Sequence, residues 1–373
     1  MARRTLHIHA GLPKTGSSAL QRFLADNRDA LMEQGLFIPR TGQRADGPHH
    51  VLMARLGGVL GRGRAAHAEA LAQEILAADA PAALISSEYA VPLLRATRLG
   101  RSLDRLRAEG IAIRFHLFLR PQPDLLNSAY PEILRSTLTH RSFEAFLAER
   151  MRARSRHYSV LIGGLERASD LAPVLHPFSA PRRRAGIWID LLQGLGISPQ
   201  ARRWLRPGIV NPSLGPIGTY TLQRVIQRIE RRGMIRGLSN RRALRDAISR
   251  ASRRFPAELA PFCGLDNALR DRIWEGAAED NEAIARRWWG QGWDEVFAEE
   301  RVRDWRPNRF RPRRTGPAEH ELAEEMMEIA WRACRRAARS WAERSAARRL
   351  RDRLMDPVER FRDLSLRLGI TYG

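Results

Sequence analysis

Apolar positions along this chain alternate between short continuous runs and longer stretches at helical spacing. Residues 4–9, with Leu6-His7-Ile8-His9, read as a strand that leads through a Gly-containing loop into a helix over 17–34. Ala82-Ala83-Leu84-Ile85 is a second apolar run and stops at Ser86-Ser87-Glu88. A helix over 98–109 precedes the strand 112–119, which ends at Arg120, and a further helix occupies 122–136. Segment 172–179 offers another strand, and 218–300 is mostly helical. Runs of this length bounded by polar or Gly/Pro residues fit strands buried on both faces. Their alternation with helices predicts an α/β fold, a parallel sheet flanked by helices. Ligands of such sheets bind at the carboxyl ends of the strands, where the 11–18 loop, Glu88 and Arg120 all fall.

The pattern breaks at Arg311-Pro312-Arg313-Arg314-Thr315-Gly316-Pro317. This predicts a main domain over 1–312 and a helical, Arg-rich C-terminal extension over 313–373. In the extension Leu322, Met326, Ile329, Ala333 and Cys334 recur at near-helical spacing, as a packing face or as a partner or membrane-surface helix. No apolar stretch approaches the ~20 residues that span a bilayer. The run after Arg3-Arg4 is too short for a signal peptide. Cys263 and Cys334 make neither a disulfide framework nor a metal cluster, so a reducing cytoplasm is expected.

Charge changes the picture at one position. The chain of 373 residues carries a net charge of +23, and of its 64 Lys and Arg residues only Lys14 is a lysine. Codon bias accounts for arginine spread over a surface; it does not account for the exception. A compact ammonium approaches a single ligand atom where a planar guanidinium is too broad. Lys14 lies in Gly11-Leu12-Pro13-Lys14-Thr15-Gly16-Ser17-Ser18, between strand and helix. Gly11 and Gly16 allow close backbone approach. Ser17 and Ser18 can cap the helix, whose free N–H groups attract an anion. The ATP-binding order G-x-x-x-x-G-K-[ST] places Lys after the second glycine. Here Lys14 precedes Gly16, which argues against an ordinary ATPase or kinase.

The loop resembles that of the sulfotransferase family, approximately P-K-[ST]-G-[ST]-[ST], and Pro13, Lys14, Thr15, Gly16, Ser17 and Ser18 match at every position. A second element agrees: Arg120 at a strand end, then Ser128 eight residues later on the helix, followed by Tyr130. Ser86-Ser87-Glu88, His49-His50, Val210-Asn211-Pro212-Ser213-Leu214 and the stretch from Asp280 to Arg286 resemble bacterial members. The likeness runs from about residue 4 to about residue 298, sparse between the motifs, with none beyond about 312.

The resemblance implies a P-loop-NTPase-like sheet and in-line transfer of a sulfuryl group from 3′-phosphoadenosine 5′-phosphosulfate (PAPS), without metal. It implies that Lys14 neutralises the leaving oxygen and that the N–H groups of 15–18 hold sulfate and 5′-phosphate, with the Ser17 and Ser18 hydroxyls assisting. Arg120 and Ser128 would hold the 3′-phosphate, a bidentate fork plus a hydroxyl. The acceptor needs a general base. Glu88 is the first candidate, His50 and His9 the rivals, and His49 is also open; Asn211 and Ser213 suggest an adenosine-side or acceptor-side loop. The acceptor is expected to be an acidic or neutral glycan, a lipid-linked saccharide or a small alcohol. The basic field also suits contact with an anionic membrane at its inner face. Nucleic acid is disfavoured because no recognised binding module accompanies the arginines. A non-catalytic protein binding anionic polymer on the same fold is the alternative, and oligomeric state is open.

Overall fold

Five short apolar segments pair into one all-parallel sheet in the computed structural model, which describes residues 4–45, 47–60, 63–95, 98–152, 157–200, 204–206, 213–235 and 238–343. The strands are β1 (Thr5–His9), β2 (Leu36–Phe37), β3 (Ala82–Ser86), β4 (Ala112–Leu119) and β5 (Val174–Pro177), in the order β2-β3-β1-β4-β5. In register, Ile8 lies opposite Ile85 of β3 and Phe115 of β4. Leu6, Ile8, Ile85, Ile113 and Phe115 join one core; Leu84 and Phe118 point into another, with Leu20, Phe23 and Ile187. Helices cover both faces, which is why these strands are largely apolar, a row of histidines apart. The chain first builds outward from β1 to β2 and β3, then crosses to β4 and β5. The reversal places a crevice at the carboxyl ends of β1 and β4, the position such sheets use for ligands.

The expected helix over 17–34 is two helices, Ser17–Asp26 and Arg28–Glu33. Asn27 divides them. Its buried amide donates to Phe23 O and Leu205 O (2.9 Å each), while its Oδ1 accepts from Leu205 N at 2.8 Å. A partner 178 residues away thus decides a break that local spacing does not announce. The strand expected over 172–179 is the shorter Val174–Pro177. Edge strand β2 and the helices His50–Leu56 and Arg64–Ala77 are additions to the sequence pattern.

A third core is all-helical. Helix Gln122–Thr137 packs with Pro216–Arg231 and Leu238–Ser252, and the long Pro317–Glu343 helix packs on those two in turn. Cys334 and Ala330 are buried there, Ile329 and Ala333 pack against the same cluster, and Met326 joins Ile217 beside it. Among the described residues, no helix is long and apolar enough to cross a membrane.

Sheet alternation also buries a row of histidines. His7 Nδ1 lies 2.8 Å from His116 Nε2, and His116 Nδ1 lies 3.1 Å from His176 Nε2. His9 Nδ1 meets Ser86 Oγ at 2.8 Å. Burial above all holds His7 down to about 4 and His9 and His176 to about 3; His116, also facing His7 and His176, falls well below 6.5. The unfolded chain binds these protons near pH 6.5, the folded chain only at much lower pH. Unfolding therefore takes up protons between about 6.5 and 4, and stability, complete above that window, falls as pH drops through it. Each histidine contributes a slope of up to about 1.4 kcal/mol per pH unit. The melting temperature is expected to drop steeply from pH 7 to pH 5, and a flat profile over that range would contradict this assignment.

Candidate functional site

The loop after β1 owes its shape to two left-handed residues. Ala10 N–H closes the sheet on His116 O at 2.9 Å, and the chain then turns through Lys14 (φ 66°) and Gly16 (φ 78°). For glycine this backbone is free; for Lys14 it costs about 1–2 kcal/mol. At Gly16 a Cβ would also come within 2.5 Å of Ile187 and 3.0 Å of Phe178. At Gly11 a Cβ would meet Ser17 Oγ at 2.5 Å. The Lys14 carbonyl is held by Arg120, whose Nη1 donates to it at 2.8 Å.

Helix Ser17–Asp26 starts with Gly16 as its cap and no side-chain capping bond. This corrects the expectation that Ser17 and Ser18 cap it: they occupy its first turn. Its first backbone bond is Leu20 N–H to Gly16 O (3.1 Å), so the N–H groups of Ser17, Ser18 and Ala19 have no intrahelical acceptor. The Thr15 and Ser17 hydroxyls turn inward and donate to Leu12 O at 2.6 and 3.3 Å. Both residues are buried. The Ser17 hydroxyl, expected to assist at a ligand, here braces the loop together with that of Thr15; Ser18 is half-buried.

Arg120 follows β4 directly. Besides Lys14 O, its Nη1 donates to Ser128 Oγ at 3.0 Å, so the two sequence motifs touch across 106 residues. Ser128 sits on helix Gln122–Thr137, two turns beyond its start. Asp124, 1% exposed, pairs with Arg120 at 3.5 Å and with Arg303 at 2.7 Å. The Tyr158 hydroxyl donates to Arg120 O, and the guanidinium lies 5.6 Å from the Phe178 ring centroid. Burial depresses the Arg120 pKa against the pull of Asp124. Arg120 Nε and Arg183 Nε are buried with no hydrogen-bond partner among the described residues. A buried donor left unpaired is costly, and an anion in the cleft would remove that cost.

Lys14, Arg120 and Ser128 line one cleft of about 510 Å³ together with Arg183, Arg303 and Trp305. Burial lowers the Lys14 pKa, opposed chiefly by the Glu132 carboxylate and more weakly by Glu88. Among the described residues no carboxylate comes within ion-pairing distance of the ammonium. The site is an arginine-rich crevice at the switch point of a parallel sheet.

The candidate bases are placed unequally. Glu88, half-buried just beyond β3, has its Cγ 3.3 Å from where a Gly11 Cβ would stand, so it flanks the loop. His50 is outside the cleft lining; its Nδ1 lies 3.0 Å from Ser87 Oγ and its ring stacks on Tyr89. His49 is buried against Pro39 O at 2.8 Å. His9 is wholly buried beneath the sheet face, out of reach of a substrate. Pro13 is buried beside Lys14, Ser213 joins the cleft, and Asn211 lies outside the described residues. Asn281 forms a reciprocal amide pair with Gln122 (2.9 Å in both directions) and so steadies the helix that carries Ser128.

Arg183, Arg303 and Asp124 were missed from sequence. Asp124 stands four residues after Arg120 and was legible as an i,i+4 partner. Arg303 pairs with it from 179 positions away, with no local signal. Among the described residues no group of three or more His, Cys, Asp or Glu side chains is arranged to hold a metal ion. Comparison with protein-family models, curated proteins and solved structures found no match.

Proposed function

We propose that this chain is a PAPS-dependent sulfotransferase on a P-loop-like fold, moving a sulfuryl group to a hydroxyl or amine. The observation that carries this reading is the direct contact between the two anion motifs, Arg120 Nη1 bridging Lys14 O and Ser128 Oγ. The β1 loop offers free N–H groups and one ammonium for the sulfate end of the donor. The β4 end offers a guanidinium and a hydroxyl for a second phosphate. That spacing suits a nucleotide with charge at both its 5′ and 3′ positions. Sulfuryl transfer leaves a protein mainly positioning and charge stabilisation to supply. In this reading Lys14 stabilises the oxygen that departs, the N–H groups of 15–18 hold the sulfate, and Glu88 takes the acceptor proton. The acceptor class is a glycan, a lipid-linked saccharide or a small alcohol. Incubation with sulfur-labelled PAPS and a cell extract, followed by identification of the labelled product, tests the activity.

Donor selectivity has its own measurement. A ligand that binds only the folded state stabilises by about 2.7 kcal/mol at a hundred times its Kd. The 3′-phosphoadenosine 5′-phosphate product (PAP) is expected to raise the melting temperature. ATP, lacking the 3′-phosphate that Arg120 and Ser128 would hold, is expected to raise it much less. Equal shifts from the two nucleotides would remove the basis for the donor assignment.

A further inference from the structure

Among the exposed charges of the Pro317–Glu343 helix, Glu319 stands in the first turn and eight others fall into two blocks around Ala330. Glu321, Glu324, Glu325 and Glu328 precede it, and Arg332, Arg335, Arg336 and Arg339 follow. The blocks are mirror images. Reflection about Ala330 carries Glu321 onto Arg339, Glu324 onto Arg336, Glu325 onto Arg335 and Glu328 onto Arg332. Every position between them maps apolar onto apolar, Met326 onto Cys334 and Ile329 onto Trp331 among them. At 3.6 residues per turn the eight charges share about a third of the helix circumference.

Within one molecule this arrangement is unfavourable. Glu321–Glu325, Glu324–Glu328, Arg332–Arg336 and Arg335–Arg339 are like-charge neighbours at i,i+4, which repel. Among the described residues only Glu328 and Arg332 pair across the boundary. The helix dipole rewards acid first and base last, but only within the terminal turns, and both blocks lie further in. A second helix laid antiparallel on the same face would set each acidic residue against a basic one and offset these repulsions.

A seat for that helix exists. Between this helix and Leu238–Ser252 runs a groove of about 620 Å³. It is lined by Ala247, Ala251 and Ala333 and by four arginines, Arg250 and Arg254 from one helix and Arg332 and Arg336 from the other; among the described residues its one carboxylate, Asp246, is already paired with Arg245 at 3.1 Å. Small lining residues let another backbone approach closely, and the two arginine pairs attract an acidic segment between them.

We propose that two copies of the chain pair here about a two-fold axis that is level with Ala330 and passes between Glu328 and Arg332 on the exposed face, the acidic half of each helix lying over the arginine-lined groove of the other. A two-fold interface uses the same patch on both subunits, which demands the self-complementarity this helix has. A polyanion or an anionic membrane matches the arginine block alone and is repelled by the glutamates beside it. The pairing is independent of the proposed activity.

The test is the solution mass of the full chain by light scattering, at roughly 100 μM, where a micromolar complex is saturated. Twice the chain mass is expected at about 0.05 M salt, shifting toward the monomer at about 0.5 M as screening shortens the reach of each charge. The double variants Glu324→Arg/Glu325→Arg and Arg335→Glu/Arg336→Glu are each expected to be monomeric, with circular dichroism melting to confirm that they fold. Mixing them restores a dimer, because a face made more basic meets one made more acidic. A monomeric parent at low salt overturns the proposal. So does a dimer that persists in both variants, or a mixture that stays monomeric. A monomeric parent whose arginine block merely retains it on phosphatidylserine vesicles overturns it too, in favour of the membrane.

Discussion

Replacing Lys14 with alanine is expected to lower turnover by about 10²–10³-fold, the effect of losing one group that stabilises transition-state charge. The ammonium is placed with unusual care. Its residue alone in the loop, apart from Gly16, adopts a left-handed backbone, and its carbonyl is pinned by the same arginine proposed to hold the second phosphate. Burial lowers its pKa, so part of its hydration is already lost before substrate arrives. Lys14→Arg retains the charge, yet is expected to be almost as poor, because a planar fork cannot reach a single oxygen as a compact ammonium does. Initial rates with labelled PAPS, measured beside PAP-induced stabilisation, separate lost chemistry from lost binding. Near-normal transfer by the arginine variant would show that the lone lysine has no chemical meaning.

Glu88→Gln is expected to reduce transfer by about 10²–10⁴-fold, the range for removing a general base. The stabilisation by PAP should change little, since Glu88 flanks the loop and lies outside the cleft that Arg120 and Ser128 line. Activity of the parent should rise with pH through an apparent pKa belonging to the acceptor complex. His50→Asn is the matched comparison: that ring is committed to Ser87 and Tyr89. A Glu88→Gln chain that keeps most of its rate while His50→Asn is inactive would assign the base to the histidine.

Both expectations rest on a site that was partly legible beforehand. The loop from Gly11 to Ser18 could be read because its chemistry is local: glycines at a tight turn, one ammonium and a helix start within eight residues. Arg120 and Ser128 were legible for the same reason, two turns apart on one strand–helix junction. The inward turn of the Ser17 hydroxyl was not legible because a hydroxyl in such a loop can face ligand or backbone with equal local plausibility; the Leu12 carbonyl beneath accepts it.

The sequence by itself determined the α/β class and the places of the Gly11–Ser18 loop and Arg120 at strand ends, because apolar periodicity and loop composition are properties of neighbours along the chain. Only the tertiary structure decided what lies across from them. Strand order brings Lys14 to Arg120; Arg303 reaches Asp124 from the far end of the main domain; Asn27 splits a helix in favour of Leu205. His9, a reasonable base in one dimension, is sealed beneath Phe118 once β1 is flanked on both sides. Burial and long-range pairing depend on which segments the fold stacks together. That choice is made by the summed packing of all three cores, and no short stretch of residues records it.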